Sequence, residues 1–124
     1  MANPNIVNVT SITGSTFIGA LTSTLTTVLL SCATSSGQVK KIEGLIISNV
    51  NATLNASVTI AYAPNDDGSG TAIKVANLIN VPALSSLQLL DKNSTLYLTE
   101  DTAIIGGAST TPILEYLISF ETIS

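Results

Sequence analysis

The sequence predicts an all-β protein, an antiparallel β-sandwich or jelly roll of about eight to ten strands. Short runs rich in β-branched residues alternate with polar positions, and clusters of Asn, Asp, Gly and Ser separate these runs. All four prolines fall at the boundaries of runs, where a missing N–H does not interrupt a strand ladder: Pro4, Pro64, Pro82 and Pro112. At 124 residues the chain fits one domain covering residues 1–124.

The stretch 39–75 predicts two or three neighbouring strands at the centre of a sheet. Apolar residues from Ile42 to Ile47 fall on both alternating faces, as expected for a strand that is covered on both sides. Alternation resumes from Val58 to Tyr62, and residues 64–70 then supply a turn. We expect six residues of the two clearest runs to lie in the core: Leu45, Ile47, Val58, Ile60, Tyr116 and Ile118.

The flanking regions predict further strands. A first strand is expected around residues 6–12 and ends at Gly14, and a second begins near Thr16. Residues 17–33 fit either a helical stripe or strands, and their threonine content favours strands. Later strands are expected at 72–81, 84–90, 96–98, 103–108 and 114–121, and the Gly106–Gly107 pair predicts a bulge or a close backbone approach.

Composition argues against several classes of function. The net charge is −4 and arginine is absent, so the chain lacks the groups that neutralise phosphates, and we expect no nucleic-acid partner. Residues 17–33 are too short and too rich in hydroxyls to span a membrane, so no membrane partner is expected either. The N-terminus has no basic region typical of a secretory signal, which predicts synthesis in a cytoplasm.

No catalytic signature is present. Without histidine, Ser/His/Asp and Cys/His sites cannot be built. The single cysteine, Cys32, lies in an apolar run and is expected to be a buried small hydrophobe. The carboxylate pairs Asp66–Asp67 and Glu100–Asp101 lie in turns, and residues 65–70 lack the ligand spacing of an EF-hand. We therefore expect no enzyme activity, no catalytic residue, no metal and no cofactor.

Several segments of the chain resemble small virion structural proteins of tailed bacteriophages. The resemblance covers about two-thirds of the chain, from Lys41 to the end. It is carried by the strand Lys41–Asn49, the segments Val81–Leu87 and Leu96–Asp101, and the closing strand Tyr116–Glu121. Glu100–Asp101 departs from this pattern, which has a glycine-aspartate turn there.

The resemblance implies a β-sandwich assembly protein of the virion, such as a capsid decoration or cement protein. An alternative is a tail, neck, baseplate or fibre component, including a carbohydrate- or receptor-binding module. A binding module of that kind needs exposed aromatic residues, and the chain has only five aromatic residues in total. Expected partners are further copies of the chain and the major capsid protein or a tail protein.

Residues 1–39 contain no charged side chain, whereas 12 charged residues occur in the remaining 85. One explanation is that this segment is the buried half of the sandwich. The other is that another chain covers it, because neutral hydroxyl and amide groups form interfaces without the desolvation penalty of ions. We favour an interface. It would lie between copies in a homo-oligomer, with a trimer favoured, or against the capsid or tail protein on which this chain sits. The candidate interface residues are Ile6, Asn8, Thr10, Thr22, Thr24 and Thr26.

Overall fold

The structure is a computed structural model that describes residues 9–109 and 114–124. Nine strands lie within these ranges: β1 (Ile12–Ala20), β2 (Thr27–Cys32), β3 (Val39–Asn49), β4 (Ala56–Ala63), β5 (Ile73–Val81), β6 (Ser86–Leu90), β7 (Leu96–Leu98), β8 (Thr102–Ala108) and β9 (Leu114–Ile123). No helix occurs in the described ranges. The all-β prediction is therefore confirmed.

The strands form two antiparallel sheets that pack face to face. One sheet has the order β1-β9-β3-β6, with β7 also paired to β3, and the other has the order β2-β8-β4-β5. Four nested pairings follow the chain inward: β1 with β9, β2 with β8, β3 with β6 and β7, and β4 with β5. One long hairpin whose arms alternate between two sheets is the arrangement of a jelly roll.

The strand order corrects one expectation and refines another. The stretch 39–75 does not form adjacent strands throughout, because β3 lies in one sheet while β4 and β5 lie in the other. As predicted, β3 occupies a sheet centre, between β9 and the pair β6 and β7. The ambiguous stretch 17–33 is not helical, since it holds the end of β1, a turn and β2.

The first strand differs from its expected position. β1 runs from Ile12 to Ala20 and passes through Gly14, which was expected to end a strand. Gly14 is tolerated because the ladder to β9 continues through it, opposite Glu121. The expected start of this strand, at residues 6–8, lies outside the described residues.

The core lies between the two sheets. Five of the six predicted core residues are fully buried: Leu45, Ile47, Val58, Ile60 and Ile118. The sixth, Tyr116, is half-buried and packs against the same cluster from the side of β1. Its phenol reaches this position because the residue opposite it on β1 is Gly19. A Cβ added at Gly19 would lie 2.7 Å from Tyr116 Oη.

The Gly106–Gly107 pair in β8 permits close packing on both faces of its sheet. A Cβ at Gly106 would lie 2.9 Å from Leu29 Cδ1 inside the core, and one at Gly107 would lie 2.8 Å from the carbonyl oxygen of Thr24. The β1–β2 turn can therefore fold onto the sheet beside β8, where Ala108 N–H donates to the Thr22 carbonyl at 2.8 Å. The predicted close approach is confirmed.

Candidate interface site

Strand β1 forms one edge of its sheet. Within the described parts of the chain it pairs with β9 alone, through nine consecutive residue pairs without a register shift. The strand contains no charged residue and no proline. Edge strands of soluble proteins are usually protected by charges, prolines or bulges, because an unpaired edge can pair with another chain. None of these protections is present in β1.

The register determines which backbone groups of β1 bond to β9 and which have no partner among the described residues. Ser11 and Ser124 exchange both backbone hydrogen bonds, at 3.1 and 3.0 Å, and Leu21 N–H donates to the Leu114 carbonyl at 2.9 Å. In an antiparallel ladder, hydrogen-bonded pairs recur at every second residue. The odd-numbered residues of β1 therefore bond to β9, and its even-numbered residues direct N–H and C=O groups away from the sheet.

Large apolar side chains of β1 are exposed. Ile18 is 75% exposed, and Phe17, which points toward the opposite face of the sheet, is 48% exposed. Phe17 makes an edge-to-face contact with Phe120, with ring centroids 4.9 Å apart. The explanation of residues 1–39 as a buried half is therefore wrong for β1, since all but one of its residues are exposed.

A groove of mixed polar and apolar lining opens beside β1 where the edges of the two sheets meet. The cavity has a volume of about 480 Å³ and is lined by Phe17, Ile18, Tyr116 and the residues Val28 to Ser31 of β2. A second cavity of about 570 Å³ lies on the other side of the strand, against Gly19 and Leu117. Both faces of β1 thus offer unfilled space to an approaching chain.

The predicted interface residues occupy the two ends of β1, and the structure does not bring them together. Ile6 and Asn8 lie outside the described residues. Thr10 precedes the strand, where its N–H and hydroxyl donate to the Ser124 carbonyl at 2.7 and 3.1 Å. Thr22, Thr24 and Thr26 follow the strand, in the β1–β2 turn.

The turn threonines form a hydroxyl cluster on the surface. Thr24 and Thr26 hydroxyls lie 2.8 Å apart, and Thr22 Oγ1 lies 3.3 Å from Thr27 Oγ1. Thr22, Thr24 and Thr26 are exposed, as expected, but they lie in a turn and not on a strand face. The predicted residues leave out the part of the candidate site between the two ends, and the lack of charge in residues 11–20 was the available signal.

The loops near the carboxyl end of β1 contain no charged residue. These are the β1–β2, β3–β4 and β5–β6 connections at residues 21–26, 50–55 and 82–85. The last two of these connections are joined to each other, since Leu84 N–H donates to the Asn51 carbonyl at 3.1 Å and Ala83 N–H donates to Asn55 Oδ1 at 3.0 Å. The uncharged surface of β1 therefore continues onto one end of the sandwich.

The charged groups nearest to β1 are Glu115 and Glu121 of β9, which lie opposite Ala20 and Gly14, and Glu121 interacts with charged residues of β3. Lys41 Nζ is 3.2 Å from Glu43 Oε1, and Lys41 pairs across the strands with Glu121. A hydrogen bond between Glu43 and Glu121 raises the pKa of Glu121, and the same bond, with the help of Lys41, lowers the pKa of Glu43. Lys41, Glu43 and Glu121 thus form one interacting group beside β1.

The described residues offer little for other kinds of site. They contain no group of three His, Cys, Asp or Glu residues that could hold a metal ion. Cys32 is buried, and its burial raises the pKa of the thiol, so the reactive thiolate is disfavoured. Residues 9–109 and 114–124 contain no helix that is long and apolar enough to cross a membrane.

No protein-family model matches the sequence, and no curated protein matches it. Among solved structures, the fold is similar to a chain of "Crystal structure of the T13 IBDV viral particle reveals a missing link in icosahedral viruses evolution", with a TM-score of 0.50 and 11% sequence identity. The similarity covers 90% of this chain and 31% of the other, so the protein spans about a third of that chain's length. The two proteins share a fold.

Proposed function

We propose that the protein is a structural component of a virus particle, a capsid decoration or cement protein of a tailed bacteriophage. The observation that carries the proposal is the uncharged, unprotected edge strand β1, which exposes backbone groups and apolar side chains together. The fold likeness to a chain of a viral particle supports a structural role. The sequence resemblance to small virion proteins supports the assignment to tailed phages.

The chemistry of the β1 surface suits protein–protein contact. Hydroxyl and backbone groups can bond across an interface without the cost of burying ions, and exposed Phe17 and Ile18 supply apolar area. A partner strand can bond to the free edge directly, as in β-augmentation. The expected partners are other copies of the chain and the major capsid or tail protein, in a virion assembled from proteins made in the host cytoplasm.

A reconstitution experiment tests this function. Particles that lack the protein are mixed with the purified wild-type chain, and occupancy is measured by quantitative mass spectrometry of the washed particles. We expect saturable binding and a higher temperature of genome release. Ile18→Lys should reduce the occupancy, because it places a charge in the exposed apolar surface of β1.

Ile73→Lys is the matched control. Ile73 is 69% exposed but lies on β5, at the edge of the other sheet, so its substitution should leave occupancy unchanged. The number of copies per particle then gives the position: hundreds indicate the capsid lattice, and a few to tens indicate the tail, neck, baseplate or fibre. Absence of the protein from purified infectious particles would refute the proposal.

A further inference from the structure

We propose that β1 pairs with β1 of a second copy in antiparallel orientation, around a twofold axis at Thr16. This pairing deepens the proposed function and rests on it, since it names the partner of the same surface. It joins the two β1-containing sheets into one continuous sheet across the dimer. The contact is isologous, so each residue pair away from the axis occurs twice, once on either side of it.

The free backbone groups of β1 fit this register. The even-numbered residues carry the N–H and C=O groups that have no partner within residues 9–109 and 114–124, so a second strand must pair even residues with even residues. An axis at Thr16 pairs Thr16 with itself, Gly14 with Ile18 and Ile12 with Ala20. Every residue of the strand then has a partner, and about ten hydrogen bonds form.

The side chains are complementary in size in the same register. Ile18 lies opposite Gly14 of the second copy, and Ile12 lies opposite Ala20. Phe17 lies opposite Ser15 on the other face. Each large apolar side chain thus meets a small one, and directly opposed side chains are close enough to pack.

Gly19 completes the pattern opposite Thr13 of the second copy. Since Gly19 also leaves room for Tyr116 on its own sheet, a side chain there would disturb both the fold and the interface. A register shifted by two residues keeps the hydrogen-bond pattern but leaves residues at both strand ends unpaired. The central register therefore buries the most surface.

Both edges of the other sheet are protected in ways that β1 is not. β5 has two register shifts against β4, carries Lys74 and holds Leu78 in the left-handed region at a φ of 53°. β2 has six residues and a register shift between Val28 and Leu30. Bulges and charges of this kind oppose strand addition.

Self-pairing through β1 also brings no like charges together within the strand, although the chain carries a net charge of −4.

Sedimentation velocity of the purified full-length chain, over a range of concentrations, tests the pairing without particles. We expect a dimer. Thr16→Pro removes an N–H that points away from β9, so it spares the ladder within the monomer and blocks the pairing. It should raise the dimer dissociation constant at least about tenfold. Ile73→Lys should leave this constant unchanged.

Cysteine crosslinking tests the register in folded protein. Thr16→Cys places two thiols opposite each other at the axis, with Cα atoms about 5.5 Å apart, which a disulfide can span. Oxidation should yield a covalent dimer on a non-reducing gel. Ile18→Cys is the matched control. Ile18 is also exposed, but it lies opposite Gly14 of the second copy and far from Ile18 of that copy.

A wild-type chain that remains monomeric or forms a trimer overturns the proposal, as does crosslinking of Ile18→Cys in preference to Thr16→Cys. A trimer is the state that the sequence analysis favoured, so sedimentation separates the two. Particle occupancy is measured separately. Dimers that do not bind particles refute the proposed function alone, and monomers that bind them refute the β1 pairing alone.

Discussion

Ile118 lies at the centre of β9 and is the sharpest test of the described core. Its side chain is fully buried, and its strand neighbours are Phe17 on β1 and Leu45 on β3. Truncation to Ala removes about three methyl or methylene groups at about 0.8 kcal/mol each, and the cavity left behind adds to that loss. We expect a loss of about 3 kcal/mol, or about 10 °C in Tm for a domain of this size.

Urea unfolding followed by circular dichroism and tyrosine fluorescence measures this loss, since the chain has three tyrosines and no tryptophan. Ile73→Ala is the control, because it makes the same chemical change at a side chain that is 69% exposed. Its cost should stay below about 1 kcal/mol. Equal losses at the two sites, or a loss at Ile118 below about 0.5 kcal/mol, would contradict the placement of β9 in the core.

Three further predictions concern the connections between strands. Gly107→Ala should destabilise the protein by about 1–3 kcal/mol, because the new Cβ would lie 2.8 Å from the Thr24 carbonyl oxygen. Asn49→Ala should cost about 1–3 kcal/mol, because the buried amide donates to two carbonyl oxygens at 2.9 Å. Ser94→Ala should raise the pKa of Asp91 in an NMR titration, since the Ser94 hydroxyl, with help from a backbone N–H, holds that pKa below its ordinary value.

The first two predictions have control variants, and the third has a pH dependence that can contradict it. Gly44→Ala should change stability little, since the atom nearest to the added Cβ is the Leu90 carbonyl oxygen at 3.8 Å, an ordinary contact. Asn80→Ala, at an exposed position of β5, should change stability little. Because the pKa of Asp91 is lowered by folding, its stabilising effect is present above the unfolded pKa and lost as pH falls through the folded pKa. If the difference in the free energy of unfolding between wild type and Ser94→Ala grew toward acidic pH, it would contradict this assignment.

The strand positions follow from local sequence in most of the chain. Alternation and turn residues located β3 to β9 closely, because each of these strands has one face in the core and ends at residues that favour turns. The start of the chain was harder. The pattern predicts a strand end at Gly14, but the ladder to β9 continues through it, because a single glycine does not end a strand that its neighbour supports.

The features of the candidate interface were predictable in outline only. The absence of charge from residues 1–39 indicated the segment that contains β1, and Thr10, Thr22, Thr24 and Thr26 are exposed. These threonines do not share one strand face, because β1 ends at Ala20 and Thr22, Thr24 and Thr26 lie in the following turn. The most exposed apolar residue of β1, Ile18, could not be distinguished by pattern from a core residue such as Ile47.

The sequence by itself determined the strand content, the turns, the apolar core faces and the uncharged N-terminal segment, since these depend on the side-chain period and on the composition of short stretches. Only the tertiary structure decided that β3 and β4 face each other across the core and that β1 is an edge strand. Strand pairing depends on contacts between residues far apart in the chain, such as Ile12 with Ile123. A strand carries the same apolar residues whether its second edge is bonded or free, so its edge position is a property of its neighbours.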